Sequence, residues 1–158
     1  MRLEKKTSIT QMKYRKIKMK KIILGLMAVF ILVGTSAIAA EQLKYRLLLQ
    51  VSEDSVDHLV QALNNARSAQ KEFGAGNIEV EIVVFGGGVN TLKFYAPIPI
   101  KDKVREVVTE GVRIVVSSKS MRAYHLRPSD MLEEVRYVES AIVELVEKQT
   151  LGWSYIRP

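Results

Sequence analysis

The stretch that decides the fold is residues 111–121, GVRIVVSSKSM. Residues 114–116 are consecutive, apolar and β-branched, and a polar run follows them. A strand that is apolar on both faces is typical of the centre of a parallel sheet. Ligands of open α/β sheets bind beyond the carboxyl ends of such strands. The sequence therefore predicts a buried central strand with candidate ligand-binding residues directly after it: Ser117, Ser118 and Lys119.

The rest of the chain alternates between strand and helix patterns. Strands are predicted at residues 44–51, 77–85, 134–138 and 153–156, and the main helices at residues 54–73, 101–110 and 140–151. Shorter helices are predicted at residues 89–95, ended by Pro97 and Pro99, and at residues 118–126. This alternation favours a three-layer α/β/α sandwich with a mostly parallel five-stranded sheet.

Apolar spacing predicts which side chains of the helices face the core. In the first helix these are Val56, Leu59, Val60, Leu63, Ala66 and Ala69, and in the last helix Ile142, Leu145, Val146 and Gln149. Met121 and Tyr124 are expected to point inward from the short helix after the central strand.

Charge divides the chain into two parts. Residues 1–39 hold nine of the 24 basic and one of the 17 acidic side chains, a net charge of +8, and residues 40–158 hold the remaining 15 and 16, a net charge of −1. Nucleic-acid binding requires a basic folded surface. We therefore expect no nucleic-acid partner.

Residues 1–40 have the pattern of a signal peptide. A basic stretch is followed by an uncharged apolar segment, residues 22–33, and then by small residues that include Ala37-Ile38-Ala39, a small-x-small cleavage site. We expect cleavage near Ala39-Ala40 and a periplasmic or otherwise exported domain over residues 41–158. An uncleaved anchor is the alternative and the only membrane contact predicted, although the apolar segment is shorter than the ~20 residues of a typical span.

The sequence contains no cysteine and only two histidines, which are far apart. Thiolate nucleophiles, persulfide carriers and cysteine-based metal sites are therefore excluded for this sequence. The histidines have no metal-ligand spacing, so we expect neither a metal nor a cofactor. His58 is expected to be a surface partner of Asp54, one helical turn earlier.

Three motifs occur in order along residues 44–158. They are Leu63-Asn64-Asn65, VVFGGGV at residues 83–89, and QTLGWSYIRP at residues 149–158. They resemble the L-x-N segment, the V-V-x-H-G-x-G-V strand and loop, and the Q-x-x-G-[WY]-x-Y-I-x-P tail of the DsrE/DsrF-like family of sulfur-relay proteins. The tail is the most specific of the three.

The resemblance implies a three-layer sheet that assembles with itself, often as a trimer or a hexamer. It also implies that the reactive cysteine of sulfur-carrying members falls on Ser117 here, and that Phe85 stands where a histidine often precedes the glycines. A serine hydroxyl stays protonated at neutral pH and cannot hold a persulfide, so sulfur transfer by the family's route is excluded.

Other candidate residues each have a functional and a structural interpretation. Gly86, Gly87 and Gly88 permit close backbone approach to a ligand or a tight turn. Ser117 and Ser118 can bind an anion at a helix start or simply cap the helix. Lys119, Arg122 and His125, aligned on a helix, form an anion-binding face or a solvated one. Asn65 faces the end of the first strand or the surface.

A hydrolase triad of Ser117, His125 and Asp130 is only a weak alternative, because no G-x-S-x-G motif occurs. We expect a non-catalytic module that binds itself and a small anionic or sulfur-containing ligand. Two alternatives remain open: an enzyme that uses Ser117 and the basic face, and a structural partner of a cysteine-bearing relative.

Overall fold

The computed structural model describes residues 45–158, so the predicted signal peptide lies outside the described residues. Five parallel strands form one sheet in the order β4-β3-β2-β1-β5. The strands are β1 (Tyr45–Val51), β2 (Ile78–Val84), β3 (Arg113–Ser117), β4 (Arg136–Val138) and β5 (Ser154–Ile156). The helices are α1 (Val56–Phe73), α2 (Ile98–Thr109), α3 (Ser118–Ala123) and α4 (Ala141–Thr150). The predicted α/β fold with a five-stranded sheet is confirmed.

Strands β1, β2 and β3 are buried on both faces of the sheet. One face, with Leu49, Ile82 and Ile114, belongs to the larger core under α1 and α2. The opposite face, with Leu48, Val83 and Val115, belongs to a smaller core under α4 that includes Trp153. The apolar run in β3 therefore has no solvent-facing side, as the sequence predicts.

Helix α1 begins and ends at sequence signals. Ser55 is its N-cap and accepts a hydrogen bond from the backbone N–H of His58 at 3.4 Å. Gly74 ends the helix with a φ of +85°. Of the predicted apolar stripe, Leu59, Leu63 and Ala66 are buried and Val60 and Ala69 are partly buried, whereas Val56, at the first helical position, is exposed.

Two predicted helix starts are wrong for reasons of local backbone chemistry. Helix α2 begins at Ile98 rather than at residue 101, with Pro97 as N-cap and Pro99 inside the first turn. Proline fits there because N–H groups of the first turn have no intrahelical acceptor. The short helix predicted at residues 89–95 is instead a 3₁₀ helix, Gly86–Leu92, where the Thr91 hydroxyl donates to the carbonyl of Gly88 at 2.7 Å.

The predicted inward faces of the last two helices are also partly wrong. In α4, Ala141 and Leu145 are buried against the sheet, whereas Ile142 and Val146 are exposed. Residues one position apart are rotated by about 100° on a helix, so docking through Ala141 and Leu145 turns their neighbours outward. Met121 points inward as expected, but Tyr124 is exposed because it lies beyond the end of α3.

The glycine loop after β2 approaches the loop after β1 very closely. A Cβ atom on Gly88 would lie 2.7 Å from the carbonyl oxygen of Val51, and one on Gly86 would lie 2.9 Å from that of Ser52. Gly86 also has a φ of +53°. The N–H of Gly88 donates to the Ser52 carbonyl at 3.2 Å. The glycines therefore serve an intramolecular backbone contact.

Substitution of Gly88 by alanine should destabilise the fold. The added methyl group meets backbone atoms that cannot rotate away, so we expect a loss of about 1–3 kcal/mol in the free energy of unfolding, as for overpacked sites. Urea denaturation followed by circular dichroism measures it. Gly76→Ala is the matched control, because a Cβ at Gly76 meets nothing within 4 Å. Equal stability of the two variants would contradict the steric argument.

Candidate functional site

The hydroxyl of Ser117 ends β3 and caps the next helix. Ser117 is only 2% exposed, and its Oγ accepts a hydrogen bond from the backbone N–H of Ser120 at 3.3 Å. Val138 of the edge strand β4 pairs with it in register. The structural interpretation made from the sequence, helix capping, therefore describes the geometry of this side chain.

Ser120 links the end of β3 to the glycine loop. Its Oγ accepts a hydrogen bond from the backbone N–H of Gly86 at 2.9 Å. Nearby, the side-chain amide of Asn90 donates to Asp54 Oδ2 at 2.8 Å. The structure thus brings the predicted residues Ser117, Ser118 and the three glycines to one end of the sheet. The roles of Ser120 and Asn90 were not predicted, because each partner is more than thirty residues away.

The predicted basic helix face does not form. Helix α3 ends at Ala123, so His125, whose φ is +56°, lies beyond it and not in line with Lys119 and Arg122. The guanidinium of Arg122 pairs with both carboxylate oxygens of Glu139. This hydrogen-bonded pair raises the pKa of Arg122 and lowers that of Glu139. The arginine charge is already balanced, which disfavours anion binding at this face.

His58 pairs with a different acidic residue from the one predicted. His58 Nδ1 lies 3.0 Å from Glu53 Oε2, whereas Asp54 is engaged by Asn90. The sequence interpretation named the wrong acid, because Asp54 turns toward the 3₁₀ helix.

Asp130 accepts a hydrogen bond from the N–H of Arg127 at 2.8 Å. Within residues 45–158 no hydrogen bond joins Ser117, His125 and Asp130, so the triad is not assembled.

Asn65 is placed apart from the other candidates. It lies in the middle of α1 and lines a cavity of about 480 Å³ with residues from the starts of β1 and β2, among them Tyr45, Leu47 and Ile78. Ser117 and the glycine loop are at the carboxyl ends of the strands. The sequence-predicted ligand residues therefore do not form one site.

A second polar cluster, which the sequence analysis missed, lies under α4. Glu81 of β2 is 1% exposed, and its Oε2 lies 2.9 Å from Arg113 Nε and 3.2 Å from Lys148 Nζ. Lys148 Nζ is also 3.4 Å from Glu144 Oε1. The sequence places Glu81 in a predicted strand, and the packing of α4 shows that its side chain is covered.

Burial controls the protonation of Glu81. Removal of its carboxylate from water raises its pKa above the ordinary value of 4.5, and the neighbouring Glu144 carboxyl adds to this effect. The positive charges of Lys148 and Arg113 lower the pKa of Glu81 and so partly offset the effect of burial. Trp153 lies against both cations, with Lys148 Nζ 4.7 Å from its ring centroid. The cluster holds α4 on the sheet and opens into none of the cavities described for residues 45–158.

The raised pKa of Glu81 predicts that the difference in stability between the wild type and Glu81→Gln depends on pH. Between pH 4.5 and the folded pKa, the folded state binds a proton that the unfolded state has released, so stability falls as pH rises. The free energy of unfolding of the wild type minus that of Glu81→Gln should therefore increase as pH is lowered from 7 to 4.5. Urea titrations at several pH values measure this difference.

Glu72→Gln, at an exposed position of α1, is the matched control for the loss of one carboxylate. A flat profile for Glu81→Gln, or a difference that decreases on acidification, would contradict a raised pKa in the folded state.

Comparison with known proteins identifies the family. The model of the DsrE/DsrF-like family matches residues 27–158. The chain belongs to the DsrE/DsrF-like family. This family is associated with sulfur relay, and the resemblance in the three sequence motifs is confirmed. No relative matches among the curated proteins.

Three solved structures are similar to this chain. MTH1491, a protein of unknown function from Methanobacterium thermoautotrophicum, is 30% identical in sequence and has a TM-score of 0.67. The match covers 73% of this chain and 100% of the MTH1491 chain. BT1422 from Bacteroides thetaiotaomicron is 16% identical, with a TM-score of 0.52, and covers 78% of this chain and all of its own. The ychN protein of E. coli is 12% identical, with a TM-score of 0.58. The match covers 73% of this chain and 99% of the ychN chain.

Two further observations bear on this DsrE/DsrF-like domain. The part of the chain that the structure describes contains no group of three or more His, Asp or Glu side chains that could hold a metal ion. Among the helices in residues 45–158, none has the length and apolar character needed to cross a bilayer.

The capping role of Ser117 in the DsrE/DsrF-like fold predicts the effect of its removal. Ser117→Ala loses the acceptor for the Ser120 N–H, so we expect a loss of about 0.5–2 kcal/mol in the free energy of unfolding. Chemical denaturation measures it. Ser118→Ala is the matched control and should be nearly neutral, since no hydrogen bond of its hydroxyl occurs within residues 45–158. A neutral Ser117→Ala would show that the cap contributes nothing.

Proposed function

We propose that the protein is an exported, non-catalytic binding and assembly module linked to sulfur metabolism, without sulfur-carrier activity of its own. The observation that carries this proposal is the buried capping serine at the end of β3 in a chain that has no cysteine. A persulfide requires a thiol that a donor and an acceptor can reach. Neither the thiol nor an accessible side chain is present at Ser117.

The enzyme alternative has less support than the binding module. A nucleophilic serine needs an adjacent base and an approach path for a substrate. The hydroxyl of Ser117 faces the N–H of Ser120 instead of a base, and the neighbouring Arg122 is paired with Glu139. A small anionic or sulfur-containing ligand at this end of the sheet would rely on Ser118 and Lys119, whose side chains have no hydrogen bond within the described residues.

The outer face of α4 supports self-assembly. Ile142, Val143 and Val146 are 58%, 52% and 57% exposed on consecutive turns of this helix. β-Branched residues are weaker helix formers than Ala, Leu or Lys, so on a solvated face they cost stability. Burial of this face against a second copy of the chain would offset that cost, because contiguous exposed apolar side chains mark interaction surfaces. A cysteine-bearing relative is the alternative partner for the same face.

Export is proposed from the sequence pattern of residues 1–40. The charge asymmetry supports it, since the basic side chains of the leader account for the whole positive charge of the chain. Removal of the leader would leave a domain with nearly balanced charge. Such a domain would act outside the cytoplasm without an affinity for nucleic acid.

Native mass spectrometry of protein purified from the periplasmic fraction tests assembly and export together. We expect a homo-oligomer whose subunits begin near residue 40. Val146→Glu places a charge in the proposed interface, and its burial is unfavourable without a partner. This variant should dissociate to monomers at concentrations where the wild type remains assembled.

Gln61→Glu, at an exposed position of α1, is the control and should assemble like the wild type. A monomeric wild type would contradict the assembly role, and co-purification of a cysteine-bearing relative would favour the alternative partner. A subunit mass that includes residues 1–39 would contradict cleavage.

A further inference from the structure

A cavity beside α1 has the features of a small-molecule site on a different part of the fold from Ser117. It measures about 480 Å³ and lies between α1 and the starts of β1, β2 and β5. We propose that this cavity binds an uncharged, largely apolar small molecule that carries one or two hydrogen-bonding groups. This goes beyond the proposed function, since the site is independent of the end of β3 and of the α4 face.

The floor of the cavity follows from strand register. Tyr45 pairs with Ile78, Leu47 with Ser154, and Leu49 with Ile156. Paired residues in neighbouring strands point to the same face, so these side chains share the α1 side of the sheet. Leu47 and Ile78 are buried there, whereas Ile156 on the edge strand is about half exposed. The result is an apolar floor that is open on the β5 side.

The wall of the cavity is one stripe of α1. Asn65, Ser68, Ala69 and Phe73 occupy positions i, i+3, i+4 and i+8, so they project from one side of the helix. Phe73 packs on Tyr45 with 4.3 Å between ring centroids. These two rings form an aromatic wall at the end of the cavity where the strands begin. An apolar group of the ligand is expected to contact it.

Three polar side chains line this apolar space, of which Asn65 is partly buried and Ser68 and Ser154 are exposed. Asn65, Ser68 and Ser154 line the cavity, and none has a side-chain hydrogen bond among residues 45–158. Together they offer an amide and two hydroxyl groups, which both donate and accept. An apolar pocket with a few convergent polar groups is the usual form of a ligand site, and its volume lies within the ~300–1,000 Å³ that such sites span.

The charges around the cavity favour an uncharged ligand. Among residues 45–158, Arg46 is the only charged residue that lines the cavity, and its Nη1 donates a hydrogen bond to the carbonyl of Leu151 at 3.1 Å. An ionised group transferred into such surroundings lacks a counter-charge, which is costly. Neutral hydroxyl, carbonyl or amine groups match the three polar side chains.

N-phenyl-1-naphthylamine is a suitable probe, since it is uncharged and has two aromatic systems and one N–H. Titration into the ¹⁵N-labelled full chain should give saturable binding and shift the side-chain amide resonances of Asn65. The amides of Asn64 and Asn90 serve as internal controls, because they interact with Lys103 and Asp54 outside the cavity. Their resonances should remain unchanged.

Two variants test the apolar and the polar part of the site. Ser68→Phe fills the cavity and should weaken probe binding at least about tenfold, as expected when an apolar pocket is occluded. Asn65→Leu removes the amide and should weaken binding by about two- to tenfold, the effect of one hydrogen bond. Asn64→Leu, one residue earlier and facing away from the cavity, is the matched control and should bind like the wild type.

Several outcomes would overturn the proposal. They are the absence of saturable binding to the wild type, undiminished binding by Ser68→Phe, and equal losses for Asn64→Leu and Asn65→Leu. If the wild type does not bind the probe and Ser68→Phe lowers the oligomer mass, the cavity is covered by a second copy of the chain instead. Circular dichroism confirms that each variant is folded.

Discussion

The close approach of two loops at the carboxyl end of the sheet is the constraint on which this structure depends. Backbone at Gly86 and Gly88 lies so near the carbonyls of Ser52 and Val51 that no side chain fits between them. This contact fixes the 3₁₀ helix after β2, and through Ser120 it fixes the start of α3. At this end of the sheet, where α/β proteins usually bind ligands, hydrogen bonds join Ser120 to both Ser117 and Gly86.

The fold could be predicted because local patterns determine it. The run of residues 114–116 has no polar face, which predicts a central strand; β3 is an interior strand next to the central β2. Strand alternation with helices leaves a parallel sheet as the simple arrangement. Ser55 and Ser117 cap helices as their positions suggest. These features need information only from neighbours in sequence. The family motifs at residues 83–89 and 149–158 agree with them.

The candidate site could not be predicted to the same extent, because it depends on contacts between distant segments. Nothing near Glu81 in sequence indicates that α4 covers it or that Lys148 and Arg113 meet its carboxylate. His58 pairs with Glu53 rather than with Asp54, whose carboxylate accepts a hydrogen bond from Asn90. In α4, either of two adjacent apolar stripes could have faced the sheet, and packing against the strands places Ala141 and Leu145 there.

The pairing of the first strand with the last one has a consequence for how the chain reaches its final form. β1 is flanked by β2 and β5, and Tyr155 reaches back to Gln50 across 105 residues of sequence. Closure of so long a loop is entropically costly and slow compared with local pairing. Among the strand pairs of residues 45–158, the pair formed by β1 and β5 therefore carries the largest loop-closure cost, because the other pairs join segments much closer in sequence.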